Sequence, residues 1–435
     1  MAHSKKLQFV LNELYKINPQ RIDLGLDRVF KFLDFIDNPQ RKLKNVITIC
    51  GTSGKASIAF FIQKILREHG YSVSLYQSPH LYNFLTRFLV NEKPIEEEEF
   101  IEHVIELDKY KDKVQLTFFE LCTAIAFRSF SQHNSDWNII ECGLGGLKDS
   151  INVDYTDLKA QLVSNISCDH LEYLSPNSKN ESEALKDIVF NKLGMIKDNT
   201  NVIISKQKPE VLGYIENELK NKKINKFIFS EDYTCSLENN RMIYQDEQGL
   251  LDLEKPKMHG YFQLENASVA IKTLRALDLR LDTQKISNAV KNMLLEARIQ
   301  EIKKGRLLDH VHETNSLIID GSHSEEQAKG LVSYLEKIKE KRSIYLVFSM
   351  MKTKDLKKYL LQFASLVTSI HCYKHKENFY ETEAIVSCAR ELGVRCNVNK
   401  NGIEALTQLA ITDPQGIFCC AGSLYSAGSL LEYNQ

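Results

Sequence analysis

Apolar positions along this chain follow two periods, and the two alternate. Val46–Cys50 is a short run rich in β-branched residues and reads as a strand. Beyond a turn, Ile58, Phe61, Ile62, Ile65 and Leu66 recur at i, i+3, i+4, i+7 and i+8. That spacing makes one apolar helical face, and Gly70 suits its C′ position. Upstream, Ile22–Ile36 is an amphipathic helix that stops before Asn38–Pro39. Downstream, Tyr71–Gln77 reads as a second strand running into Ser78–Pro79–His80–Leu81, where proline forces the chain out of helix. Glu96–Glu99 reads as the acidic first turn of a helix. Thr117–Phe127 is a strongly apolar helix with Glu120 near its start, either a buried functional carboxylate or a solvated N-terminal acid. Trp137–Cys142 and Leu162–Ser167 complete the strands of this half.

Near Leu294–Ala297 the pattern resets, which sets a domain boundary between 1–295 and 296–435. Beyond it Ser316–Ile319, Tyr345–Phe348, Val367–His371, Val394–Asn397 and Ile417–Ala421 read as strands, most of them separated by helical stretches. Both halves are therefore α/β, the second a smaller parallel sheet. A length of 435 residues suits two or three domains.

Composition narrows the picture by exclusion. A net charge of -1 gives no electrostatic case for nucleic acid or an anionic membrane surface. No apolar run reaches the ~18 residues of a spanning helix, and the apolar part of MAHSKKLQFVL is too short for a signal peptide. Ten scattered cysteines, several inside apolar strands, read as buried thiols in a reducing cytoplasm rather than disulfides or zinc ligands.

Candidate chemistry begins at Val46–Ser57, VITICGTSGKAS. Strand, glycine turn, lysine and helix form a phosphate cradle: backbone N–H groups and the positive helix end face the anion, Lys55 adds charge, and a hydroxyl can hold Mg²⁺. The general P-loop spacing is not met, because Ile49 stands where the first glycine belongs and the hydroxyl comes one place late, at Ser57. Such a turn also occurs as a plain strand–helix connection. Glu141 ends a strand and precedes Gly143–Leu144–Gly145–Gly146, a setting for a metal-binding carboxylate. Asp169–His170 is a further polar pair near a strand end, whose bland reading is a hydrogen-bonded structural pair.

Taken together, Gly51–Ser57, Ser78–Pro79–His80–Leu81, Thr117–Phe118–Phe119–Glu120, Glu141–Gly146, Asp169–His170, Asn191–Gly194, Gln263–Ala267, Arg298, Asp320–His323 and Gly422–Tyr425 resemble, in order and spacing, one family. It is that of the bacterial folylpolyglutamate synthases and dihydrofolate synthases of the Mur ligase superfamily. The resemblance implies an N-terminal P-loop ATPase-like domain and a smaller C-terminal Rossmann-like domain, the Mur ligase fold. The first would bind ATP and the second serve glutamate ligation. It implies an ATP-dependent amide ligase: ATP phosphorylates the carboxylate of dihydropteroate or a reduced folate, and L-glutamate attacks the acyl phosphate.

By position, the resemblance puts Gly51, Thr52, Ser53, Gly54, Lys55, Ala56 and Ser57 around the phosphates. Ser57 and Glu141 fall on one Mg²⁺, with His170 joining Glu141 on a second. Lys192 aligns with a lysine that is carbamylated in many of these ligases, whereas without the family it would read as a surface lysine. Asn266, Arg298 and Asp320 align with nucleotide positions, and His323 lies near the incoming glutamate. Ser78, Pro79, His80, Phe84 and Asp169 would line the folate side, with Phe84 offering a stacking face. Several positions depart from the family: Ser53 for asparagine, Ala56 for glycine, Thr86 for glutamate, Leu147 for arginine, Phe262 for histidine, Ala297 for glycine and Ser324 for asparagine. They keep two alternatives open, a catalytically weakened folate- or nucleotide-binding homologue and another Mur-type amino-acid ligase. The expected protein is a cytoplasmic monomer acting on small molecules, with no nucleic-acid or membrane partner.

Overall fold

The computed structural model describes residues 4–17 and 25–435. The start of the expected helix, Ile22–Leu24, lies outside the described residues, and the helix spans Asp27–Phe35. The chain divides into two compact units, Met1–Lys255 with Leu264–Met293, and Pro256–Gln263 with Leu294–Gln435.

The first unit is built on an eight-stranded sheet. Its strands are β1 (Val46–Cys50), β2 (Val73–Tyr76), β3 (Phe88–Val90), β4 (Lys93–Pro94), β5 (Trp137–Glu141), β6 (Leu158–Val163), β7 (Asn201–Ile204) and β8 (Asn225–Ile228). Their spatial order is β4-β3-β2-β5-β1-β6-β7-β8. Six of them run parallel, and β3 and β4 add an antiparallel edge beside β2. β1 is buried along its whole length, as an apolar run in the middle of a covered parallel sheet must be. Helix Lys55–Glu68 follows it and packs Ile58, Phe61, Ile62, Ile65 and Leu66 inward. Gly70 follows its C-cap with φ +89.

One expectation needs correction. The strand expected at Leu162–Ser167 is β6, Leu158–Val163; past its end Ser164 N–H donates to Cys50 O at 2.8 Å and Asn165 forms an isolated bridge with Ser53. β1 lies between β5 and β6. A three-stranded antiparallel sheet, β9 (Tyr233–Glu238), β10 (Arg241–Asp246) and β11 (Gly249–Glu254), was not expected at all.

In the second unit β12 (Gln300–Glu301) pairs antiparallel with β13 (Ser316–Ile319). β14 (Ile344–Phe348), β15 (Ser369–Cys372), β16 (Cys396–Val398) and β17 (Ile417–Ala421) complete a sheet of order β12-β13-β17-β14-β15-β16, parallel beyond β12. Each unit has its own apolar core. No helix among the described residues is long and apolar enough to cross a membrane.

Candidate active site

The turn after β1 is bent by two glycines that no other residue could replace in place. Gly51 has φ +134, and a Cβ there would sit 2.0 Å from Ser164 Oγ; Gly54 has φ +95, and its Cβ would sit 2.7 Å from Asn266 Oδ1. The segment after β6 clasps the turn: Thr52 and Ser53 N–H groups donate to the Asn165 carbonyl at 2.8 and 3.1 Å. Thr52 Oγ1 donates to Ser167 O at 3.1 Å and receives Ser167 N–H at 3.2 Å. Ala56 and Ser57 already belong to the helix that opens at Lys55, and Ser57 is buried. Ala56 therefore has ordinary helical backbone, and its Cβ costs no strain there.

Two lysines converge on one carbonyl. Lys55 Nζ donates to Gly51 O at 3.2 Å, and Lys192 Nζ donates to the same oxygen at 3.0 Å. Lys192 comes from the last turn of helix Glu181–Leu193 and is 5% exposed, so the surface-lysine reading fails. Burial lowers its ammonium pKa to about 8, and the neighbouring Lys55 charge adds to the effect.

Glu141, at the end of β5, is buried across from Lys55. Its Oε1 lies 4.0 Å from Lys55 Nζ and its Oε2 accepts Ser78 N–H at 3.3 Å. The glycine stretch behind it is held by Asp149, whose carboxylate accepts Leu144 N–H at 2.7 Å and Ile151 N–H at 3.1 Å. Burial pushes the Asp149 carboxyl up, against the pull of those N–H groups. Sequence reading missed this residue; an acid just past GLGG was the available sign.

His170 does not end a strand. It sits at φ +53, capping the short helix Leu171–Leu174, with its side chain 39% exposed and Nε2 3.7 Å from Asp169 Oδ2. No group of three or more His, Cys, Asp or Glu able to hold a metal occurs among the described residues. One buried carboxylate and one buried hydroxyl beside a phosphate cradle do suit Mg²⁺, which keeps waters and takes its remaining oxygens from substrate phosphates. Ser164 and Ser167 hydroxyls, buried here without hydrogen-bond partners, fit the same polar filling.

On the other side, Ser78 and His80 are half-buried and Pro79 is exposed. His80 Nδ1 accepts Arg87 Nε–H at 2.9 Å, so a neutral ring carries its proton on Nε2. Phe84 is 2% exposed and is ringed by Tyr15, His80, Phe88, Phe100 and Phe118, with Arg87 5.5 Å from its centroid. Its faces are taken by the protein's own rings, so the expected stacking face is not open. Arg87 itself, 7% exposed and also 5.6 Å from the Phe118 centroid, was missed in the sequence. Glu120 is neither solvated nor catalytic in its contacts. It closes a capping box with Thr117 and pairs with Arg28 at 2.9 Å.

Three expected site residues belong to the second unit. Asp320 Oδ2 accepts Ile299 N–H and Oδ1 accepts Ser322 N–H, each at 2.8 Å. His323 Nδ1 lies 3.1 Å from the Gly321 carbonyl, so that nitrogen carries a proton. Arg298 donates to Ala297 O at 3.0 Å.

A model of the Mur ligase middle domain matches residues 49–274, more than half of the chain and all of the phosphate turn, Glu141, Lys192 and Asn266. The chain belongs to the Mur ligase family. Within it, the chain is similar to dihydrofolate synthase/folylpolyglutamate synthase from Buchnera aphidicola subsp. Schizaphis graminum, with 30% identity over 71% of this chain and 69% of that protein. It is similar to dihydrofolate synthetase from Saccharomyces cerevisiae at 29% identity, over 78% of each. Its fold matches the E. coli FolC structure in complex with DHPP and ADP, with a TM-score of 0.86, 23% identity and 98% and 97% of the two chains covered.

The departures from the family pattern have local settings in the structure. Leu147 packs on the Lys192 helix: a Cβ on Gly194 would lie 2.6 Å from Leu147, and Leu147 N–H donates to Asn191 O at 2.7 Å. Ala297 keeps the glycine's backbone, with φ +55, and Ile299 follows at φ +47. Such angles are costly for non-glycine residues. Ser324 caps helix Glu325–Lys339. Phe262 fills space beside Gly260 and Gly330 within the second unit.

Proposed function

We propose that this chain is an ATP-dependent ligase that joins L-glutamate to dihydropteroate and extends reduced folates by glutamate, through an acyl phosphate. The observation that carries this reading is the convergence of Lys55 and Lys192 on the Gly51 carbonyl, opposite the buried Glu141. Lys55 and the positive end of the helix it opens form a preorganised seat for transferring phosphate, which needs charge stabilisation more than covalent help, and Lys192 stands beside that seat. Lys55 grips the β- and γ-phosphates as the N–H groups at the start of helix Lys55–Glu68 orient them. Ser57 and Glu141 would hold Mg²⁺, which supplies charge neutralisation on the phosphate oxygens. Asn266, packed against Gly54, borders the nucleotide from the same unit.

Lys192 is the proposed carbamate carrier. A carbamate forms only from the neutral amine, and burial provides that amine at mildly alkaline pH. Asp169 lines the folate side, and His170 would join Glu141 on a second Mg²⁺. Arg298 and Asp320 serve the nucleotide, and His323 serves the incoming glutamate. Ser78 and His80 line the pterin side, near Arg87. Ten free thiols suit a reducing cytoplasm, where the chain acts as a monomer.

The test is mass spectrometry of products after incubation of dihydropteroate, or of tetrahydrofolate, with ATP, Mg²⁺ and glutamate. Dihydrofolate and glutamate-extended tetrahydrofolate are the expected products. Dihydrofolate alone would restrict the chain to the first reaction. No product from either acceptor, with ATP still bound, would replace this reading by the weakened homologue.

A further inference from the structure

Cys372 closes β15 and Cys396 opens β16, the outermost strand of the second sheet. The parallel register sets Cys396 opposite Ile370 and Cys372 opposite Val398. Both cysteines therefore leave the same face of the sheet, one diagonal step apart. Their sulfurs are 3.6 Å apart, in hydrogen-bonding contact. A disulfide needs the sulfurs closer by roughly 1.6 Å and the Cα atoms within about 7 Å, so bond formation draws β16, which is paired on one side only, toward Cys372.

The two thiols differ in access. Cys372 is buried and Cys396 half-buried. Cys396 Sγ–H donates to Cys372 Sγ, and the contact between the two thiols lowers the pKa of Cys396 and raises that of Cys372. By contrast, burial pushes the thiols of Cys50 and Cys122 up to about 11 and that of Cys420 up to about 12, which leaves them inert. A half-buried cysteine with a buried one in contact behind it is the arrangement of an attacking and a resolving cysteine.

We propose that Cys372 and Cys396 form an oxidation site that low-molecular-weight disulfides convert into an intramolecular disulfide, tying the edge strand to its neighbour. The Cys396 thiolate attacks one sulfur of glutathione disulfide, forming a mixed disulfide and releasing one glutathione thiolate. Cys372 then gives up its proton and attacks Cys396 Sγ, expelling the second glutathione. Two electrons pass to the glutathione disulfide, which leaves as two thiols carrying the two protons. The proposal is independent of the ligase reading.

The experiment treats the folded full-length chain with glutathione disulfide, alkylates the remaining thiols and digests with trypsin without reduction. The expected result is loss of two of the ten thiols and a cross-linked pair of peptides, 359–374 and 396–400, that separates on reduction. Cys372→Ser should instead leave a glutathione adduct on Cys396, and Cys396→Ser should leave Cys372 unmodified. Ten thiols remaining in the treated wild type would overturn the proposal. So would a stable glutathione adduct at Cys396 beside an unmodified Cys372.

Discussion

Single residues at the phosphate turn carry opposed demands. Lys192 is a cation kept out of water beside another cation, so folding weakens its hold on a proton. Its folded pKa, about 8, lies below the usual value of 10.5, which sets the sign. Below pH 8 both folded and unfolded chains hold the proton, and the full penalty applies. Between about 8 and 10.5 the unfolded chain binds more protons, so stability rises with pH. Relative to Lys192→Met, the wild type should gain about 3 kcal/mol across that window, measured by urea unfolding at a series of pH values. A flat difference would show that Lys192 is better solvated than it looks. Lys55→Ala should leave the thermal midpoint within about 2 °C and weaken ATP binding by at least about tenfold, the loss of one charge-assisted contact. Titration calorimetry with ATP measures that loss, and wild-type affinity would remove Lys55 from the phosphate seat. Lys55 was legible because a motif frames it. Lys192 was legible only through the family, since nothing in FNKLG marks a helix end folded under a turn 141 residues away.

Secondary elements show what local pattern can and cannot convey. Strand–turn–helix at 46–68 and the parallel strands of the second unit were legible because apolar runs and helical spacing alternate cleanly there. β6 was misplaced because LKAQLV carries polar residues. Gln161 is buried yet satisfied, donating to Thr48 Oγ1 and Met195 O and accepting Lys197 N–H. The β9–β11 sheet had a sign that went unread. Asn239–Asn240, both at positive φ, form a two-residue hairpin turn between alternating runs. At the same scale, Glu99 pins helix Glu97–Asp108 to helix Phe118–His133. Burial raises its pKa, but hydrogen bonds with His103, Ser129 and His133 prevail and hold it at about 2. A carboxylate so lowered contributes stability above about pH 4.5 that is lost as pH falls toward 2. Across that range the wild type should therefore lose more stability than Glu99→Gln. Acid titration followed by far-UV circular dichroism measures the difference, and parallel curves would count against the clamp.

For the whole molecule, two cores imply two unfolding units. Trp137, the single tryptophan, is buried in the first unit, so its fluorescence follows that unit while circular dichroism follows both. Lys55, Glu141, Lys192 and Asn266 all belong to the first unit. ADP with Mg²⁺ should therefore raise the fluorescence midpoint, by RT ln(1 + [L]/Kd) in free energy. If Arg298 and Asp320 contribute to nucleotide affinity, Arg298→Ala and Asp320→Ala shrink that rise; an unchanged rise shows that they do not.

The order of β1 within its sheet has a consequence for how the chain is made. The strand that bears the phosphate turn leaves the ribosome before both of its sheet neighbours, β5 and β6. Its register partners begin at Asn138 on one side and Leu158 on the other. Until β5 and β6 have been translated, VITIC is an apolar segment with both edges open, the kind of strand that pairs with a neighbouring nascent chain. The helix after β1 can shield one face of it but neither edge. Synthesis of this protein is therefore most exposed to aggregation between the emergence of β1 and that of β6.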